Sequence, residues 1–165
     1  MEKSSSKRAY AVCAAAAMVL FAVQMLYIHA NLEYAGSWGQ TAAISALFAL
    51  AAGGMLCGFV KLKKPTAGEL GLTCSIVCVT ALARVSMLDY VSSDYQSFLV
   101  GWLDVFRTGG FKTLGENVGD YNLIYQYVLL LISKAPLKDL YLVKLFTVLF
   151  DYGLALTMMQ AAGYF

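Results

Sequence analysis

Asp89, Asp94, Asp104, Glu116 and Asp120 fall in one polar stretch, residues 89–127, of a chain that is otherwise strongly apolar. Tyr90, Tyr95, Phe98, Trp102, Phe106 and Tyr121 are interleaved with them. Carboxylates placed in this way can move protons as general acids or bases, or simply complete the first turn of a helix. Their spacing alone establishes no metal site. Either role needs a frame that holds them at a surface, so the elements around the stretch come next.

Hydrophobic residues make up 60% of the chain and charged residues only 13%, with a mean hydropathy of +0.67. This composition excludes an ordinary soluble domain and predicts an all-α, polytopic transmembrane helical bundle. A helical span needs about 20 apolar residues. Segments 9–30, 41–60 and 140–159 meet that length, and 70–88 does so with Arg84 near its end. A fifth candidate, 122–133, is short and carries Gln126, which leaves a tilted span, a projecting helix or a re-entrant piece open. About five spans are therefore expected, preceded by a cytoplasmic tip at 1–8 that includes a disordered Ser4–Ser5–Ser6 run. Residues 9–66 form two N-terminal spans, and 67–165 form a span, a loop at 89–120 and two further spans.

Lys3, Lys7 and Arg8 precede the first apolar run, which is too long for a cleavable secretory segment and reads as an uncleaved anchor. With that basic end in the cytoplasm, Lys61, Lys63 and Lys64 return inside and the 89–120 loop lies outside the cell membrane. Lys134 and Lys138 then come back inside, and the last span leads outward. Cys13, Cys57, Cys74 and Cys78 all sit in apolar runs and read as small packing residues. Cys74 and Cys78 share a helix face, but no His or carboxylate joins them to hold a metal. Ala49, Gly53, Gly54 and Gly58 supply the small residues that let membrane helices approach closely.

Within the polar stretch, Tyr95, Phe98, Leu99, Trp102, Val105 and Phe106 follow helical spacing and predict an amphipathic interfacial helix over 95–107. Ser93 or Asp94 stands where its N-cap is expected and Gly109-Gly110 ends it. Spacing alone favours capping over catalysis for Asp94, and membrane anchoring for Trp102. Arg84, charged within a span, either snorkels to the interface or marks a functional site. Lys144 and Asp151 share one helix face and make either an ion pair or a substrate contact. Asp139 complements the dipole at a helix start.

An Arg late in a span, then S-x-D-Y-x-x-F-x-x-x-W, G-G-F, a polar loop and D-Y before an aromatic-rich helix together form a pattern. It resembles the first outer loop of the GT-C superfamily, polytopic glycosyltransferases that use polyprenyl-phosphate-linked sugars. The nearest likeness is to bacterial relatives of the second mannosyltransferase of GPI-anchor assembly. Asp94, Phe98, Trp102, Gly110, Asp120 and Tyr121 carry the match, which covers about residues 84–151. The resemblance implies a sugar transfer at the outer face with Asp94 as general base. It implies donor-phosphate contacts from among Arg84, Arg107, Lys112 and Lys144, and acceptor or divalent-cation contacts from Asp89 and Asp120. Trp102 and Tyr121 would line the substrate site. The expected partners are membrane lipid and the polyprenyl-linked donor, with no nucleic acid. Such enzymes have ten or more spans, so the chain is expected to be an N-terminal portion, inactive alone. The competing expectation is a non-catalytic accessory or scaffold subunit. A transporter would show an internal repeat or paired broken helices, and the segments show neither.

Overall fold

The computed structural model describes residues 2–32, 37–116, 118–119 and 122–163, and among these every regular element is helical. They comprise α1 (Glu2–Asn31), α2 (Trp38–Lys63), α3 (Ala67–Ser86), α4 (Val100–Gly109, entered through a π-helical turn at Tyr95–Leu99), α5 (Leu123–Lys134) and α6 (Asp139–Ala161). Four of them, α1, α2, α3 and α6, are long and apolar enough to cross a membrane, so the chain is a multi-pass membrane protein. The fifth candidate is a helix of 12 residues, about 18 Å long against a hydrocarbon core of about 30 Å. The Ser4–Ser6 run, expected to be disordered, lies inside α1, which is helical from Glu2.

Local chemistry sets the helix ends. Ser37 Oγ accepts from the Gln40 amide at the start of α2. Thr66 and Glu69 form a reciprocal capping box at the start of α3. Between them Lys64 closes α2 in the left-handed region at φ 46°, a conformation that costs a side-chain-bearing residue on the order of 1–2 kcal/mol. Asn122 Oδ1 accepts from the Tyr125 amide to start α5. Ala135, extended before Pro136, ends it.

The chain divides into two compact units: residues 1–88 with 145–165, and residues 89–144. In the first, α1 and α2 pair antiparallel, and Gly53 allows the approach: a Cβ there would lie 3.1 Å from the Ala17 methyl. Gly58 faces a different neighbour, since its Cβ would fall 2.8 Å from Leu156 on α6. The small-residue face of α2 therefore serves two contacts rather than one. Cys13, Leu20, Leu56, Phe59, Val77 and Ala81 lead the buried core of this unit. All four cysteines are unbridged thiols, Cys13 among the core residues and Cys57 and Cys74 packed against it.

The direction of α6 departs from the five-span expectation. Leu156 meets Gly58, and Lys63 Nζ lies 3.4 Å from where a Gly163 Cβ would stand. Further along, Leu145 and Leu149 line a cavity of about 440 Å³ with Leu47, Leu50 and Ala51. Rising numbers on α2 therefore match rising numbers on α6: the two run parallel. Because α3 runs back against α2, α6 starts at the end of the bundle where α3 finishes. The chain leaves this unit after Leu88 and rejoins it at Leu145 at that one end. The last span leads back to the end that carries Lys61 and Lys63.

Gln24, Thr41 and Ser45 are fully buried, and neither the Gln24 amide nor either hydroxyl has a hydrogen-bond partner among the described residues. Such groups are expensive away from water. Gln24→Met keeps the volume and removes two of the orphaned atoms, so we expect a gain of about 1–3 kcal/mol in reversible detergent unfolding. For the topology, single cysteines replacing Lys7, Lys112 and Gly163 can be reacted with a membrane-impermeant maleimide, with the unsubstituted chain as blank. Positions 7 and 163 should label from one side and 112 from the other. Labelling of 7 and 163 from opposite sides would restore the five-span path.

Candidate functional site

Residues 89–144 carry most of the carboxylates in question. Their helical run starts at 93–94 and passes through a π turn, closed by the Val100 amide donating to the Tyr95 carbonyl, before continuing as α4. Turns of this kind are inserted at a cost and cluster at functional sites. The capping residue is Ser92, not Ser93 or Asp94: its Oγ accepts from the Tyr95 amide at 3.2 Å and its carbonyl from Gln96. Ser92 is the residue whose hydroxyl reaches the third helical amide, so Asp94 falls inside the first turn and makes no capping bond. Its side chain is exposed and has no hydrogen-bond or ion-pair partner among the described residues.

Other carboxylates of this unit are engaged. Arg107 pairs with both Asp104 and Asp139, joining α4 to the first residue of α6. The hydrogen bond with Asp139 is the main force raising the Arg107 pKa above its already high ordinary value, so the guanidinium stays charged. Asp139 thus does more than complement a dipole. Lys134 Nζ donates to the Arg107 carbonyl at 2.8 Å, which ties the end of α5 to the end of α4. Asp89 accepts from Lys138 at 3.1 Å and from the Tyr141 hydroxyl. Lys144 donates to the Tyr90 carbonyl and lies over the Tyr90 ring. Burial pushes the Tyr95 phenol above its ordinary pKa, with the Asp139 charge adding to the effect. The apolar face of α4 is used inward, with Leu103 and Phe106 buried, while Phe98 is exposed and stacks at a tilt on Trp102, 5.9 Å between centroids.

The loop after α4 is held from α5. Gln126, the polar residue in an apolar run, accepts from the Gly115 amide and donates to the Glu116 carbonyl. Gly119 sits at φ +68° with the Trp102 ring so near that a Cβ would fall 2.6 Å from it. Asp120 and Tyr121 lie outside the described residues. Glu116 and Lys112 are exposed and make no side-chain ion pair.

Arg84 belongs to the other unit, where it pairs with Asp151 at 2.5 Å. Asp151 therefore takes its charge from α3 and not from Lys144 on its own helix. Of the four cations proposed to hold a donor phosphate, Arg84 and Arg107 already face carboxylates and Lys144 faces a carbonyl. Among the described residues, no group of three or more His, Cys, Asp or Glu converges to hold a metal ion. Lys138, Tyr141 and Gln126 were missed as site residues. Gln126 left a signal in its polarity; the other two are joined to Asp89 only by the tertiary fold. No protein-family model, curated protein or solved structure matches this chain.

Gly119→Ala should cost about 1–2 kcal/mol from the left-handed backbone alone and displace the Trp102 ring. With Trp38→Phe as background, the Trp102 emission maximum should shift. An unchanged maximum would show that the ring does not rest on Gly119.

Proposed function

We propose that this chain belongs to a membrane glycosyltransferase that moves a sugar from a polyprenyl-phosphate donor to an acceptor hydroxyl at the outer face of the cell membrane. Asp94 is the general base of this reading. The observation that carries it is the state of that carboxylate: exposed, without a partner among the described residues, and next to a π turn, while Asp89, Asp104 and Asp139 are bound to cations. A carboxylate with nothing to hold is available to take a proton. The acceptor oxygen bonds to the anomeric carbon as its proton passes to Asp94, and the bond from that carbon to the lipid phosphate breaks, its electrons leaving with the phosphate.

The charge distribution supports the orientation. The end of the bundle with the α2–α3 turn carries Lys61, Lys63 and Lys64, and α1 begins with Lys3, Lys7 and Arg8. By the positive-inside bias that end lies in the cytoplasm and the loop at 89–120 outside. Exposed Lys112 is the cation with least to give up in holding a phosphate, and Arg84 would have to leave Asp151. The engagement of Arg84 and Arg107 by carboxylates favours the second reading, an accessory subunit in which these pairs are structural.

Asp94→Asn in the protein produced from its complete reading frame separates the two. With polyprenyl-phosphate-linked sugar in native membranes, transfer should fall by about 10²–10⁴-fold at unchanged protein level. Unchanged transfer would sink the catalytic reading in favour of the accessory one.

A further inference from the structure

We propose that α5 is a membrane-contacting helix that does not cross: its outward face, Leu123, Ile124, Tyr127 and Leu131, lies in the boundary layer of the lipid bilayer. These four are 50%, 74%, 46% and 70% exposed, and they recur at the three- and four-residue intervals of one helix face. The opposite face, with Gln126, Leu129, Leu130 and Ile132, is buried. A helix that buries one apolar face and presents another to the outside needs a second apolar environment for it.

Chain continuity identifies that environment as lipid. Four residues separate Lys134 from Asp139, where a membrane-length helix begins. The five steps from Lys134 to Asp139 span at most about 18 Å, so the end of α5 cannot be far from where α6 enters the bilayer. The helix carries one charge, Lys134, at its last position, and that amine is turned to the Arg107 carbonyl. Tyr127 suits the interface, where a ring can be apolar at its body and wet at its hydroxyl. The segment expected to lie on the membrane, 95–107, fits the role less well. Alongside Phe98 and Val105, its exposed positions include Gln96, Ser97, Asp104 and Arg107. The proposal rests on the length and the exposed apolar face of α5 and is independent of the sugar-transfer reading.

Nitroxide labels on Ile124→Cys, Leu131→Cys and, as reference, Thr108→Cys test it in phosphatidylcholine–phosphatidylglycerol vesicles, with the unsubstituted chain as blank. Oxygen accessibility should exceed that of a water-soluble nickel chelate at 124 and 131, and the ratio should reverse at 108. Two outcomes overturn the proposal. Nickel access above oxygen at 124 and 131 would place the face in water. Exclusion of both reagents with immobilised spectra would place it under protein, in a second copy or another chain.

Discussion

The parallel packing of α6 against α2 is the constraint on which the rest of this molecule depends. Gly58 and Leu156 meet in it: a Cβ at position 58 would fall 2.8 Å from the Leu156 side chain. Helices in lipid gain little from hydrophobic association, so close approach through small residues sets which pairs form and in which direction. Once α6 runs with α2, its first turn stands at the end of the bundle where α3 finishes. The chain therefore leaves this unit after Leu88 and rejoins it at Leu145 at one end of the bundle.

The intervening segment holds itself together with polar ties rather than depth of core. Arg107 draws Asp104 and Asp139 together, Lys134 closes the end of α4, Gln126 holds the loop and Asp89 gathers Lys138 and Tyr141. Partly exposed pairs of this kind contribute on the order of 1 kcal/mol or less each. Their value lies in register: they decide which residues are neighbours. They also consume charge, which is why cations that look available along the chain are engaged in the fold.

Against that background Asp94 and Glu116 are the exposed carboxylates without an ion pair among the described residues, and Asp94 is the one beside the π turn. A cap would have explained it, and Ser92 has taken that place. The neighbouring π turn is the kind of irregularity that persists where geometry is used for something else. The buried, unpartnered Gln24, Thr41 and Ser45 show that polar groups in this chain are not confined to the 89–144 segment, and an intramembrane polar group is a reason to look for function.

The sequence by itself determined the class of the molecule. Apolar runs of membrane length, the glycines of α2 and the amphipathic run after Asp94 are local or periodic features, and each appears in the structure as helix or close contact. It determined the polar stretch as the place where chemistry could occur, because composition alone separates it from the rest. It did not determine the path of the chain. The direction of α6 is decided by packing such as that of Leu156 on Gly58, about a hundred residues apart. The same holds for charge: Arg84 with Asp151, Arg107 with Asp139 and Lys138 with Asp89 are partners separated by 67, 32 and 49 positions. Distances of that kind are a property of the fold, since an ion pair requires a few ångströms in space and no fixed spacing along the chain.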